Sequence, residues 1–179
     1  MSYGGFVSIA FQWHGTLSDL APLDRALAAA GLVAVDIGET AENQRISGWN
    51  MAIDGSSHEI TCRCYDAGAH VATTLDIEEE RFDELAVQIG RRRLIEVFVG
   101  LAAELVRSLD LQYAFFEEEA EADLAPDRFD GSRLFGITIV PENARWLDRA
   151  LARDDIQRVD RLPGVVVIYR RLDPVPHLG

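Results

Sequence analysis

The sequence predicts an α+β protein whose helices pack on one face of a mostly antiparallel sheet, in two layers. Three observations support this: several segments alternate apolar and polar residues, short turns join them, and a long apolar helix interrupts them. Helices and hairpins follow each other irregularly, which is typical of α+β folds rather than of parallel βαβ units. The 179 residues are 48% apolar. They suit a single α+β domain over residues 1–179, with a possible boundary between halves near residues 110–131.

The chain opens with a strand, a helix and a short strand. Residues 6–13 alternate in the pattern of a strand with one buried face. A helix follows, with Pro22 in its first turn and Gly31 at its end. A short strand is predicted at residues 32–37.

A three-stranded meander is predicted next, over residues 46–53, 58–66 and 69–75. Asp54 and Gly55 form a typical hairpin turn between the first two strands. Short turns give a consistent assignment of faces, because register and side-chain alternation must agree across both hairpins. One face carries Trp49, Met51, Ile53, Ile60, Cys62, Cys64, Val71 and Leu75, and the other carries Arg63, Tyr65 and His70.

Two helical segments follow the meander. Asp76 and Glu79 have the spacing of a capping box, which predicts a helix start at this point. Gly90 predicts a break. Residues 91–109 are apolar around most of the helix, so we expect this helix to be central and packed across the sheet.

The last third is predicted as strands around one further helix. The helix should occupy residues 141–153, and a hairpin closes around Leu162, Pro163 and Gly164. An acidic loop is predicted at residues 117–131. The predicted strands are residues 111–116, 134–140, 156–161 and 165–169.

Charge and composition exclude several classes of protein. Thirty acidic residues stand against seventeen basic ones, all arginine, for a net charge of −13. This sign opposes a protein that coats nucleic acid through phosphate contacts. No apolar run approaches the length of a membrane span, and the first residues lack the features of a secretory signal, so we expect a cytoplasmic protein. The missing lysine has two explanations, GC-rich coding or a high-salt cytoplasm.

Catalytic and cofactor motifs are missing from the sequence. It contains no P-loop, no GxGxxG after a strand and no GxSxG. We therefore predict no cofactor and no catalytic residues, and we favour a protein that is not an enzyme.

His58, Cys62 and Cys64 are candidate ligands of a metal ion. These side chains share one face of a strand, and imidazole and thiolate are good zinc ligands. At about 3.3 Å per residue, however, the set extends too far along one strand to reach a single ion. We predict no metal, two buried cysteines and a histidine at the strand end.

The alternative function is a small-molecule-binding domain or an enzyme with its pocket between the sheet and the central helix. Trp13, His14 and Trp49 are the residues proposed for the mouth of such a pocket. His14 follows a strand directly, in a loop position that often carries function.

An aromatic and acidic segment is the most unusual feature of the sequence. Residues 111–130 hold seven acids and one arginine, a net charge of −6, whereas residues 131–179 have a net charge of +2. Aromatic side chains beside clustered acids can anchor and steer a protein partner, and the acids favour a basic one. The predicted partner-binding residues are Tyr113, Phe116, Glu117, Glu118, Glu119, Glu121 and Asp123.

The C-terminal half contains a long apolar helix that runs into residues 109–115, the strand 134–141, Trp146, the hairpin 159–167, and Asp173 followed by Pro174. In these segments it resembles small α+β immunity proteins of bacterial toxin–immunity systems. The likeness covers roughly residues 94–175. It implies an acidic, cytoplasmic, non-enzymatic protein that binds a toxin through acidic surface loops.

Overall fold

A computed structural model describes residues 5–36, 40, 41, 43–118, 120 and 125–171. Strands dominate these residues and all of them join one sheet. The strands are β1 (Phe6–His14), β2 (Val33–Asp36), β3 (Thr40–Ala41), β4 (Gln44–Ile53), β5 (Ser56–Asp66), β6 (His70–Glu78), β7 (Ala114–Glu118), β8 (Ile137–Pro141), β9 (Ile156–Leu162) and β10 (Val165–Arg170).

Four α-helices and one short 3₁₀ turn complete the described part. None of these helices is long and apolar enough to cross a membrane. The helices are α1 (Ala21–Ala29), α2 (Glu79–Ile89), α3 (Arg91–Ser108) and α4 (Leu147–Leu151), and the 3₁₀ turn is Pro126–Arg128.

The sheet has the strand order β2-β4-β5-β6-β1-β7-β8-β10-β9, and β3 pairs with β4 beside β2. Every pairing is antiparallel. The predicted α+β class and antiparallel sheet are therefore confirmed. Strand β1 lies at the centre, between the β4–β6 meander and the C-terminal strands.

The larger apolar core lies between the sheet and helices α1, α2 and α3. Strand β1 contributes alternate residues to it, among them Ile9 and Phe11, which are fully buried. From α3, Leu94, Phe98 and Leu105 face the sheet with almost no exposed surface. Helix α3 is thus the central helix that its apolar sequence predicted.

A second core lies on the opposite face of the sheet, which departs from the predicted two-layer packing. Val165 and Val167 of β10 join the first core, while Val166 and Ile168 join the second. Helix α4 and the chain around residues 125–135 cover this second core, with Leu147 among its contacts. Helices therefore cover both faces of the C-terminal half of the sheet.

The meander has the predicted faces. Trp49 pairs with Ile60, and Cys62 with Leu75, and all four are buried on the helix side. The opposite face of β4, β5 and β6 carries the more polar set, as the alternation predicted.

Two predicted helix boundaries are wrong. Asp76 does not cap a helix; it lies inside β6, and Glu78 is the residue that precedes α2. The helix predicted at 141–153 is shortened to α4, because Pro141 still pairs with Val165 in the sheet. The break at Gly90 is confirmed, and its φ of 91° is a conformation that favours glycine.

Candidate functional site

A groove runs between α3 and the sheet at the ends of strands β7, β8 and β10. We call it the α3 groove. Its inner part is a cavity of about 230 Å³ whose apolar lining includes Phe82 of α2, Ile95 of α3, Phe116 of β7 and Tyr169 of β10. The break at Gly90 separates α2 from α3 at this point, so that both helices contribute to the lining.

Charged side chains surround the inner cavity. Arg91 lies with its guanidinium 5.5 Å from the centre of the Phe82 ring. Its nitrogens are 3.3 Å from an Asp83 oxygen and 3.5 Å from a Glu118 oxygen. Glu117 accepts a hydrogen bond of 2.9 Å from the backbone N–H of Gly136. The cavity therefore combines an apolar floor with a rim of both charge signs.

The outer part of the groove is a second cavity, of about 600 Å³, towards strand β9. It shares Arg91, Ile95 and Tyr169 with the inner part and adds Arg92 and Arg158, so that arginines outnumber glutamates there. Each of these arginines is paired with a carboxylate, Arg91 with Asp83 and Glu118, Arg92 with Glu96, and Arg158 with Asp160, so the charge of the lining is largely compensated.

Tyr169 lies where the two cavities meet. The Arg158 guanidinium is 4.9 Å from the centre of its ring. Burial, followed by the nearby Asp160 carboxylate, raises the pKa of the Tyr169 hydroxyl above its usual value. The hydroxyl therefore stays protonated at neutral pH, and it donates its hydrogen bond to the Asp160 carboxylate.

The predicted aromatic anchors do not stand on the surface. Tyr113 is fully buried in the second core, stacked 4.5 Å from Phe115 and 4.7 Å from Phe129, so its prediction as a surface anchor is wrong. Phe116 is 4% exposed and packs on Phe98, but its ring also lines the inner cavity. Tyr113 lies directly before a strand that is buried on both faces, and Phe116 lies on that strand, so neither ring is exposed as predicted.

The acidic residues of the same segment have different outcomes. Glu117 and Glu118 line the groove, and Glu118 is well exposed. Glu119, Glu121 and Asp123 lie outside the described residues.

The proposed pocket of Trp13, His14 and Trp49 is not formed. Trp13 and Trp49 are core residues, and their indole N–H groups donate to Thr73 and Ser47. His14 lies at the end of β1 and contacts the His70 ring, with 4.3 Å between ring centres. It lines a separate cavity of about 440 Å³ near Trp146. Alternation along β1 places Trp13 and His14 on opposite faces of the sheet.

His58, Cys62 and Cys64 are buried on the same face of β5, as predicted. The two sulfurs are 3.8 Å apart and the cysteines are free, while Nδ1 of His58 lies 3.1 Å from an Arg81 nitrogen. Hydrogen bonding to Cys64 and burial raise the pKa of the Cys62 thiol. Within the described residues no group of three or more His, Cys, Asp or Glu side chains is placed to hold a metal ion.

A buried polar network at Asp76 was not predicted. Its carboxylate accepts hydrogen bonds from Ser8 at 2.6 Å and Thr74 at 3.0 Å, and it pairs with Arg63. The alternation of the strands could have predicted this network, because Ser8, Arg63 and Asp76 all lie on the face of the sheet opposite the larger core. The competing capping-box pattern concealed it.

Comparison with protein-family models, with curated proteins and with solved structures finds no match to this chain. The geometry of the site alone supports the functional proposal below.

Proposed function

We propose that the chain is a small protein-binding domain without catalytic activity, of the immunity or adaptor kind, and that its partner binds at the α3 groove. The observation that carries the proposal is the position of Phe116, Glu117 and Glu118. These three residues of the acidic segment come together at the groove. The groove thus offers an apolar cavity with two carboxylates of the acidic segment at its rim.

The inner cavity suits one apolar side chain of a partner. Its volume of about 230 Å³ is below the range of roughly 300–1,000 Å³ typical of small-molecule pockets. An aromatic or aliphatic side chain seated on Phe82 and Phe116 would be desolvated in the way that anchors at protein interfaces are.

The acidic segment suits a basic partner. Residues 111–130 carry a net charge of −6, and Glu117 and Glu118 bring part of it to the rim of the groove. Such a field accelerates the encounter with a basic surface, and the acceleration weakens as salt rises.

A photo-crosslinking capture tests this proposal. A photoreactive amino acid replaces Gln157, which is exposed and lines both parts of the groove, and the protein is mixed with lysate of its source organism. Val87 on α2 is the control position, because it is 88% exposed and does not line the groove. We expect one stoichiometric crosslinked protein from position 157, less of it at high salt, and none from position 87.

Two variants make the capture specific. Gln157→Trp fills the groove and should abolish binding, whereas Val87→Trp should not. Glu118→Arg should slow association more than Glu80→Arg, which changes the net charge equally on an exposed turn of α2. The proposal fails if no stoichiometric partner is recovered at either salt, or if Gln157→Trp binds like the unmodified protein.

The second candidate function is small-molecule binding in the α3 groove, whose outer cavity of about 600 Å³ is within the range of small-molecule pockets. It is favoured by the location of the cavity between the sheet and α3. A rise of several degrees in melting temperature with a metabolite, lost in Gln157→Trp, would support this function over protein binding.

A further inference from the structure

Strand β9 forms one edge of the sheet. In the described chain it pairs only with β10, so half of its backbone N–H and C=O groups face outward. Val159 and Leu162 are exposed for 38% and 36% of their surface, although they are large apolar residues. An edge of seven residues with exposed apolar side chains is a surface on which another strand can pair.

The opposite edge of the sheet, strand β2, is shorter. Strand β2 has four residues, and its register with β4 shifts between Ala34 and Asp36. Bulges and short strands are the devices by which sheets protect their edges. Both edges expose apolar side chains, Val33 and Val35 on β2 and Val159 and Leu162 on β9. Strand β9 is the longer edge, with seven residues against four, and its register with β10 shifts only at its Ile156 end.

The hairpin turn determines which residues of β9 point outward. Leu162 and Val165 flank the two-residue turn Pro163-Gly164, where an antiparallel hairpin begins with a hydrogen-bonded pair. Hydrogen-bonded pairs then alternate, so Asp160 bonds inward to β10. The N–H and C=O of Val159 consequently face away from the sheet.

The sequence of β9 is complementary to itself about Val159. If a second copy pairs antiparallel with Val159 opposite Val159, then Arg158 of each copy faces Asp160 of the other. Two-fold centres at Arg158, Asp160 or Arg161 would instead place identical charges opposite each other, which destabilises cross-strand pairs. Only the centre at Val159 matches the outward backbone groups and both charges at once.

We infer that the partner of this edge is a second copy of the chain, paired β9 to β9 as a symmetric dimer with a continuous sheet. In one protomer Arg158 already donates a hydrogen bond of 2.9 Å to Asp160, on the face of the sheet that carries α3. Pairing about Val159 converts two such ion pairs into an alternating group of four charges. Because Arg158 also lines the outer cavity, the dimer places Asp160 of the second copy at the rim of the α3 groove.

The first test breaks the backbone pairing. Val159→Pro removes an N–H that faces outward and leaves the pairing of β9 with β10 intact, since proline is tolerated on such edge positions. Sedimentation of the full chain at rising concentration should show a monomer–dimer equilibrium, and Val159→Pro should raise the dimer dissociation constant about tenfold or more. Val159→Thr, which keeps the N–H, should change it by less than about threefold.

The second test exchanges the charges. Arg158→Asp or Asp160→Arg alone places like charges opposite each other and should weaken the dimer about tenfold. The double variant R158D/D160R restores opposite charges and should dimerise like the original chain. Circular dichroism melting shows whether each variant is folded.

The third test reports the register. In Val159→Cys the two new thiols face each other across the two-fold axis, so a short thiol-bridging reagent should join the copies. Arg161→Cys is the control, because residue 161 faces residue 157 of the second copy. Cys62 and Cys64 are buried and do not compete.

Gln157 and Arg158 of β9 also line the α3 groove, so sedimentation of the chain alone, without lysate, tests the dimer separately from the groove's own partner. A chain that is monomeric at every concentration overturns it. So does a dimer that Val159→Pro and the single charge variants leave unchanged, because that dimer uses another surface.

Discussion

The two halves of the sheet differ in how many of their faces are buried. In β5 the buried and exposed residues alternate, and only the helix side is covered. In β10 the four residues from Val165 to Ile168 are all buried. Strand β1 lies between the two halves. Its face opposite the larger core carries the buried polar residues Ser8 and Gln12.

This difference follows from the residues of each strand. A strand with one solvated face alternates, whereas a strand covered on both faces has a continuous apolar run. The meander alternates and has one core; β7 and β10 are continuously apolar and have two. The runs at residues 114–116 and 165–168 therefore already contradicted a two-layer arrangement.

The largest expected effect comes from removing a ring from the second core. Phe115 is fully buried. Its ring centre lies 4.2 Å from that of Phe135 and 4.5 Å from that of Tyr113, on which it stacks. Phe115→Ala should lower the free energy of unfolding by about 3–5 kcal/mol. Tyr65→Ala, on the open face of the meander, should cost less than about 1 kcal/mol. Urea unfolding measures both, and equal losses would contradict a second core.

Glycines with a similar backbone conformation should separate the halves by a smaller amount. Gly131 and Gly68 have φ of 75° and 80°, so alanine is strained by about 1 kcal/mol at either. A Cβ at Gly131 would lie 2.6 Å from the Trp146 ring, whereas nothing lies within 4 Å at Gly68. Gly131→Ala should therefore cost about 1–3 kcal/mol more. Equal melting temperatures for the two variants would show that the chain around Gly131 moves away from Trp146 at no cost in stability.

The smallest expected effect is a pH dependence in the C-terminal half. Hydrogen bonds from Arg153 and then Arg170 hold the pKa of Asp155 well below its usual range. A lowered folded-state pKa stabilises the protein above the unfolded value of about 3.9, and this stabilisation is lost as the pH falls further. Asp155→Asn should thus cost about 1 kcal/mol at neutral pH.

The difference between Asp155→Asn and the original chain should shrink as the pH falls below about 4. Unfolding by urea at several pH values measures it. In an Arg153→Gln background the same substitution should cost less, because one partner is already gone. A cost that does not change with pH would remove the ion pairs as its cause.

Much of the fold could be predicted from local patterns. The meander was predicted with its faces because Trp49, Ile60 and Cys62 share a parity that two turns enforce. The break between α2 and α3 followed from Gly90. The central position of α3 followed from its apolar surface, which is too wide for a helix that is covered on one side only. Asp76 was misassigned, because a capping box and a buried carboxylate look alike in a sequence.

The candidate site was less predictable. Glu118 was predicted as a partner-binding residue from the acidic and aromatic residues beside it in the sequence, and it does line the groove. Tyr113 looked like an anchor, but an aromatic residue beside acids can equally be the last buried residue of a strand. Arg158 and Tyr169 were not predicted at all, because they reach the groove only through the pairing of β9 with β10.

By itself the sequence determined which segments are strands and helices, since side-chain alternation, turns and glycines act over a few residues. It also determined the uneven charge, with its most acidic stretch at residues 111–130. Only the tertiary structure decided that β7 is covered on both faces, that Phe116, Glu117 and Glu118 meet Arg91 at one groove, and that β9 is the edge. These features depend on contacts between residues far apart in the chain, which no local pattern records.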